Sequence, residues 1–315
     1  MLADFVIKYR GWLVRLLGSA LLLGVIFWFL PLADVATAFA SISPTVFLSV
    51  LCLFVVAHIA AALKWWLLLD RGLPMIQAIR AHFAGLAANL CLPGAAGGDV
   101  VRAGMAQAVV KDGSRIVAVS VVDRLIDMLA LLALAGVGFV LSGQSEQSTV
   151  MVIRAGGVLL AVVAGFMALP WLLPLPWKLV PKLPGRSLAD KFGGAIKIIG
   201  KNPGLLALLL AFSMTIQMVL VSLSWWLALG VGADVSLGQW MFAWPLAKVI
   251  AVLPISLNGL GLREAALAAN LSGFGASAAL IVAAGLVWQA VLYIAGGIGA
   301  VVLALSSTAV KIPEN

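Results

Sequence analysis

Charge is scarce in this chain: Asp, Glu, Lys and Arg make up 10% of 315 residues, against 63% hydrophobic residues. That balance excludes a soluble domain of this size, in which roughly a quarter of residues are charged. Cysteine and histidine are nearly missing, with two of each. Cys52 and Cys91 stand in apolar surroundings, outside any disulfide framework or metal spacing, and read as small core residues. His58 and His82 are the only histidines, and Asp123 and Asp127 are four apart rather than in an Asp-x-x-Asp box, so no metal site is expected. The glycine cluster Gly94-x-x-Gly97-Gly98 lacks the G-x-G-x-x-G spacing of a nucleotide loop. No cofactor is expected, and the chain is not read as an enzyme.

Long apolar runs take the place of charge. Mean hydropathy is +1.16, and apolar stretches recur that are long enough to cross the ~30 Å hydrocarbon core as helices. The expectation is an all-α polytopic membrane protein forming one domain over 1–315. A formal net charge of +8 raises nucleic-acid binding, but the bases gather in short loops, where they set topology and meet anionic lipid. No nucleic-acid partner is expected.

About six full spans are read, near 16–30, 45–69, 116–141, 150–173, 205–229 and 277–305. Lys8 and Arg10 place the N-terminus in the cytoplasm by the positive-inside rule. Ala38-Phe39-Ala40 resembles a signal-cleavage site, but the apolar run is long for a signal core and ends well upstream, so the first span is read as retained. The second span closes on Lys64-Trp65-Trp66 and Asp70-Arg71. There the tryptophans suit a membrane interface and the bases its cytoplasmic side. His58, within that span, is read as hydrogen-bonded to a neighbouring helix rather than as a proton relay. Segment 143–149 holds Glu146 and no base, and is placed outside. The next loop carries Lys178, Lys182, Arg186, Lys191, Lys197 and Lys201 against Asp190, and is placed in the cytoplasm with the C-terminus behind Lys311. The protein is thus assigned to the cytoplasmic membrane with both termini inside.

Two shorter apolar stretches are broken. The first, 76–91, holds Arg80, His82 and Asn89 and breaks at Leu92-Pro93-Gly94-Ala95-Ala96-Gly97-Gly98-Asp99-Val100-Val101-Arg102. A helix from Arg80 to Leu92 is only ~20 Å long, short of the membrane core. With a short helix returning over 99–111 it forms a hairpin entering and leaving on the cytoplasmic side. The second, 239–253, breaks at Leu253-Pro254-Ile255-Ser256-Leu257-Asn258-Gly259-Leu260-Gly261-Leu262-Arg263-Glu264. The breaks align at a constant offset of 161: Pro93 with Pro254, Gly98 with Gly259, Arg102 with Arg263. Trp65-Trp66 recurs as Trp225-Trp226 at offset 160.

Residues 45–142 and 205–305 therefore read as an inverted repeat, the second and third spans against the fifth and sixth. Pro93, Gly94, Gly97 and Gly98, with Pro254, Gly259 and Gly261, make the breaks. Helix N-termini after them, capped by Asp99 or by Ser256 and Asn258, offer N–H groups to an anion. Paired broken segments of this kind point to a transporter substrate site.

Charges at membrane depth gather around the same stretches. Arg102, Arg124, Lys248 and Arg263 balance Asp99, Asp123, Asp127 and Glu264. A lipid-facing charge at mid-span costs ~2.5–3.5 kcal/mol, so these groups are expected to face protein or a wet cavity and to pair. Arg124 stands three before Asp127, in reach of it on one helix. Arg102, Arg263, Asp99, Glu264, Asp123, Arg124 and Asp127 are the candidate substrate-binding residues.

Together, Leu92-Pro93-Gly94 with Gly98-Asp99-Val100-Val101-Arg102, Asp123-Arg124-Leu125-Ile126-Asp127, and Leu253-Pro254-Ile255-Ser256 with Gly259-Leu260-Gly261-Leu262-Arg263-Glu264 carry a resemblance. Over about residues 10–305 the chain resembles the lysylphosphatidylglycerol synthase/flippase transmembrane-domain family. In one departure, Gly98-Asp99 stands where members often have Gly-Glu, which leaves the acid in place. The resemblance implies movement of lipids with charged or phosphate-bearing head groups between leaflets, making such lipids the expected partners. Some members fuse this domain to a soluble aminoacyl-lipid synthase, which this chain is expected to lack. The alternatives are an integral-membrane lipid-modifying enzyme and a non-transporting subunit. Such a subunit would dock a lipid synthase or glycosyltransferase of a phospholipid, hopanoid or polyprenyl-glycan pathway through the basic loop.

Overall fold

The computed structural model describes residues 32–91, 97–142, 174–179, 203–251 and 259–307, with isolated positions 157, 160, 164, 168, 171 and 172. All regular structure among the described residues is helical: α1 (Leu32–Ala40), α2 (Pro44–Leu68), α3 (Met75–Cys91), α4 (Gly97–Val110), α5 (Gly113–Leu141), α6 (Pro203–Gly230), α7 (Leu237–Ile250), α8 (Leu262–Ser272) and α9 (Ala278–Ser307), besides one short turn at Leu175–Leu179. Local chemistry sets several starts. Pro44 opens α2, where its missing N–H costs nothing. Asp112 accepts from the Arg115 amide at the head of α5, and Ser236 with Gln239 forms a capping box on α7.

Four helical stretches are long and apolar enough to cross a membrane: Pro44–Leu68, Arg115–Leu141, Gly204–Gly230 and Ala278–Val302. They match the second, third, fifth and sixth spans expected from the sequence. The readings at 16–30, at 143–149, at most of 150–173 and over most of the basic loop fall outside the described residues, as do Pro93, Gly94, Pro254, Ser256 and Asn258. At 17, 14, 14 and 11 residues, α3, α4, α7 and α8 are each too short to cross alone.

The helices pack in a twofold pattern. α2 lies on α6, α3 pairs with α4 as α7 does with α8, and α4 packs on α5 as α8 does on α9. Each long C-terminal helix also receives the short helix of the other half: α7 lies along α5, and α3 along α9. Both contacts are close because of one glycine each. A Cβ at Gly138 would run into the Met241 and Phe242 backbone, and one at Gly299 into the Phe83 carbonyl. These glycines stand 161 residues apart, the same offset that relates the two breaks. Small residues that let backbones touch are the usual means of helix association where the solvent is as apolar as the side chains.

That solvent also explains a corrected expectation. Cys52 is exposed rather than buried, on the outer stripe of α2 between Leu48 and Val56, themselves 57% and 59% exposed. Apolar neighbours on a membrane helix describe the lipid-facing side as well as the core, so they do not signal burial.

Gly299→Val is expected to cost ~1–3 kcal/mol or more by overpacking the α3–α9 contact, read as a lowered Tm in detergent. Gly297→Ala, with nothing within 4 Å of the added Cβ, is expected to leave Tm level or slightly raised. Equal loss in both would show that the crossing glycine is not what holds the pair.

Candidate functional site

α5 presents Asp123, Arg124 and Asp127 within little more than one turn, so they need partners from other helices. Lys64 on α2 supplies the first. Its ammonium lies 2.9 Å from Asp123 Oδ1 and 2.5 Å from Asp127 Oδ1, and it also donates to Ser213 Oγ of α6 at 2.8 Å. The Ser213 hydroxyl in turn donates to Asp127 Oδ1 at 2.7 Å. Lys64 is 1% exposed, which corrects the reading of it as an interfacial base closing the second span. It is buried because two carboxylates one turn apart face it.

The chain of alternating charge continues into α4. Arg102 Nη2 lies 3.1 Å from Asp123 Oδ2 and 3.1 Å from Asp99 Oδ1, with its guanidinium 4.7 Å over the Trp65 ring. Arg124 Nε donates to Asp99 Oδ2 at 2.7 Å. Arg124 therefore pairs across helices with Asp99 and not with Asp127 on its own helix, as the spacing alone suggested. α4 packs on α5 and so holds Asp99 over its face, where a bonded arginine gains more than an i,i+3 neighbour offers. Asp99 consequently does not cap α4; Asn89 Oδ1 accepts from the Gly98 amide at 2.8 Å instead.

The second half has its own arginine. Gly261 turns the chain into α8 at φ +80°, and its amide donates to Glu264 Oε2 at 2.8 Å. Glu264 Oε1 takes Arg263 Nη2 at 2.6 Å, and the same Nη2 reaches Gln289 Oε1 at 3.0 Å and the Gly285 carbonyl at 3.3 Å on α9. Arg263 lies 5.6 Å over Trp244, as Arg102 lies over Trp65. Both arginines thus sit on an indole and reach the helix that follows.

Between the halves lies a cavity of about 270 Å³, walled by α2 to α9. Asp99, Arg102, Asp123, Arg124, Asp127 and Arg263 line it, so six of the seven expected site residues come together there. Glu264 stands behind Arg263. Gly97 and Gly98 begin α4, and a Cβ on Gly85 opposite would lie 2.8 Å from the Gly98 carbonyl, so the first turn of α4 meets α3 backbone to backbone at the cavity wall. Gly259 and Gly261, both at positive φ, turn the chain before α8.

An aromatic wall closes another side: Trp240 stacks on Trp244, Trp244 meets Trp288 edge-on at 5.2 Å, and Trp288 meets Phe54 at 5.4 Å.

Three features were not singled out from the sequence as site residues. Lys64 looked interfacial. Lys248, noted as a charge at membrane depth, lines the cavity and donates to Gln217 Oε1 at 3.0 Å. His58 and His82 meet each other on the cavity wall, so the expected bond of His58 to a neighbouring helix is found. Lys64 also changes the charge balance. Four cations against four acids becomes five against four: Lys64, Arg102, Arg124, Lys248 and Arg263 facing Asp99, Asp123, Asp127 and Glu264.

Lys64→Met leaves Asp127 without a cation and Asp123 with Arg102 alone, and is expected to cost ~3–5 kcal/mol, read as a large fall in Tm. Adding Asp123→Asn and Asp127→Asn to Lys64→Met is expected to recover a good part of it, giving strong non-additivity. Additive losses would show that Lys64 contributes by packing its stem and not by its charge.

Residues 12–299 match the family described as Lysylphosphatidylglycerol synthase TM region. The chain belongs to that family and is an integral membrane protein. No curated protein matches it.

Proposed function

From this membership we propose that the protein is a lipid translocase, moving a lipid with an anionic, phosphate-bearing head group between the leaflets of the cytoplasmic membrane. The observation that carries this proposal is the odd cation. Among the described residues, Lys248 has no carboxylate within ion-pair distance; its partner is the neutral Gln217. An unpaired charge taken out of water costs several kcal/mol, and a phosphate entering the cavity would supply the missing countercharge. Arg124, 48% exposed at its side chain, and Arg263 border the same space, while the lipid tails stay in the bilayer.

The architecture is read as two inverted repeats, α2–α5 and α6–α9, each with a re-entrant hairpin, α3–α4 and α7–α8. The shared offset of 161 at the breaks and at the crossing glycines supports this, as does the matched set of helix contacts. The cavity then lies where the hairpins meet, the place a transporter of this design binds its substrate. Lys8, Arg10 and the basic residues of 178–201 favour cytoplasmic termini. In this role the chain carries out no covalent step. A lipid synthase or glycosyltransferase docking at the basic loop would hand it the lipid.

The test is leaflet exchange of fluorescent phosphatidylglycerol in vesicles holding the purified protein. Lys248→Gln is expected to slow exchange on the order of tenfold or more, the worth of one hydrogen bond to a charged group. Lys248→Arg should keep most of the rate, and exchange of a zwitterionic analogue should be slow throughout. Full exchange by a folded Lys248→Gln protein would remove the site assignment, and no exchange by the unmodified chain would remove the function.

A further inference from the structure

The chain has two histidines, and they form one hydrogen bond. His58 Nδ1 of α2 and His82 Nε2 of α3 are 3.0 Å apart, and both rings line the charged cavity. His58 leans on Phe54 with ring centroids 4.2 Å apart. His82 Nδ1 is buried with no hydrogen-bond partner. A pair of neutral imidazoles linked in this way holds a single N–H···N bond, and either tautomer leaves something wanting. With His58 as donor, the His82 Nδ1–H is a buried donor without an acceptor; with His82 as donor, Nδ1 is a bare lone pair.

The surroundings decide what a proton would meet. The charges bearing on His58 are Lys248 of α7 with Asp127 and Arg124 of α5; those bearing on His82 are Arg102 of α4, Arg124 and Lys64. Asp99, Asp123 and Arg263 line the same cavity, and α6 and α9 face it with the neutral Gln217 and Trp288. Lys64, Arg102 and Arg124 are held in ion pairs with Asp99, Asp123 and Asp127, so the charge left unanswered in the cavity they share with the histidines is that of Lys248. A proton added to the empty cavity joins that surplus positive charge, whereas one added beside a bound anion is offset by it.

We propose that the His58–His82 pair is a proton-binding site loaded together with the anionic ligand, so that each bound head group brings a proton into the cavity. It rests on the proposed anion site and adds its energy coupling. In the step, a solvent proton delivered as hydronium adds to a free ring nitrogen: the N–H bond forms as the hydronium O–H bond breaks, leaving a water and an imidazolium that donates to the remaining neutral imidazole. The link between α2 and α3 becomes charge-assisted, and release of the anion returns the proton to solvent water as hydronium. By reciprocity, proton binding then tightens anion binding by the same factor.

The experiment is titration calorimetry of the full chain with short-chain phosphatidylglycerol, whose phosphodiester does not titrate near neutral pH. It is run in two buffers that differ in ionisation enthalpy. Uptake of about one proton per bound lipid is expected, with affinity falling by up to about tenfold per pH unit above the loading range. His82→Gln should bind with no proton uptake. Binding by the unmodified chain without proton uptake overturns the proposal and leaves a plain structural link between α2 and α3. Failure of the lipid to bind overturns the anion site itself and the coupling with it.

Should His82→Gln not fold, nitrogen NMR of ¹⁵N-histidine in the untagged native chain decides the matter, because only two rings contribute signals. Adding the lipid at fixed pH should move one ring toward the imidazolium shift. Unmoved rings with lipid bound overturn the proposal.

Discussion

An ammonium held between two carboxylates inside the bilayer is the interaction on which the first half of this molecule depends. Lys64 ties α2 to both acids of α5, and Asp123 passes the connection on to Arg102, Asp99 and Arg124. Alternation of sign is what makes the row tolerable. Each group placed alone would bear a desolvation cost of several kcal/mol, and Asp99, Arg102, Asp123 and Lys64 each answer two opposite charges. The row also fixes geometry, since Arg124 can meet Asp99, and Arg102 can meet Asp123, only where α4 lies on the face of α5.

The second half keeps the plan and changes the chemistry. Arg263 occupies the place of Arg102 at the common offset and likewise rests on an indole. Where Arg102 finds Asp123 on the following helix, Arg263 finds Gln289 and the Gly285 carbonyl. Its carboxylate is the adjacent Glu264, which also holds the Gly261 amide and so fixes the turn into α8. Neutral partners let this half carry a cation, Lys248, that no acid answers among the described residues, and the asymmetry puts the surplus charge on the α6–α7 side of the cavity.

Much of this was legible in the residues. Charges at depth beside Pro and Gly in an apolar run pointed to six residues that line the cavity, because each such feature is costly in lipid unless protein or water compensates it. Lys64 was missed because lysine beside two tryptophans has an equally good explanation at a membrane interface, and because four bases already matched four acids. Asp123 and Asp127 lie near the same end of their span as Lys64 does of its own, and pairing charges by depth would have found it. The Arg124–Asp99 pair was out of reach: it depends on how α4 packs on α5, which periodicity does not describe. Cys52 misled for a different reason, since a membrane helix is apolar on the outside too.

The distribution of ion pairs bears on how such a cavity could open to either side. Among the described residues, every ion pair lies within one half. Lys64, Asp99, Arg102, Asp123, Arg124 and Asp127 belong to α2–α5, and Arg263 with Glu264 belongs to α8. Across the halves the contacts are of another kind: glycine against backbone where α5 meets α7 and α9 meets α3, and Phe54 edge-on to Trp288. Such surfaces hold no charge, so parting them costs dispersion contacts, each worth ~0.1–0.2 kcal/mol per atom pair. Breaking an ion pair in the bilayer would cost far more. The exception is the Ser213 hydroxyl of α6, bonded to both Lys64 and Asp127. Because Lys64 and Asp127 remain bonded to each other when that hydroxyl leaves, the link can be exchanged for water without stranding a charge. Charge ties α2, α4 and α5 of the first half to one another, while the surfaces that join the halves hold none.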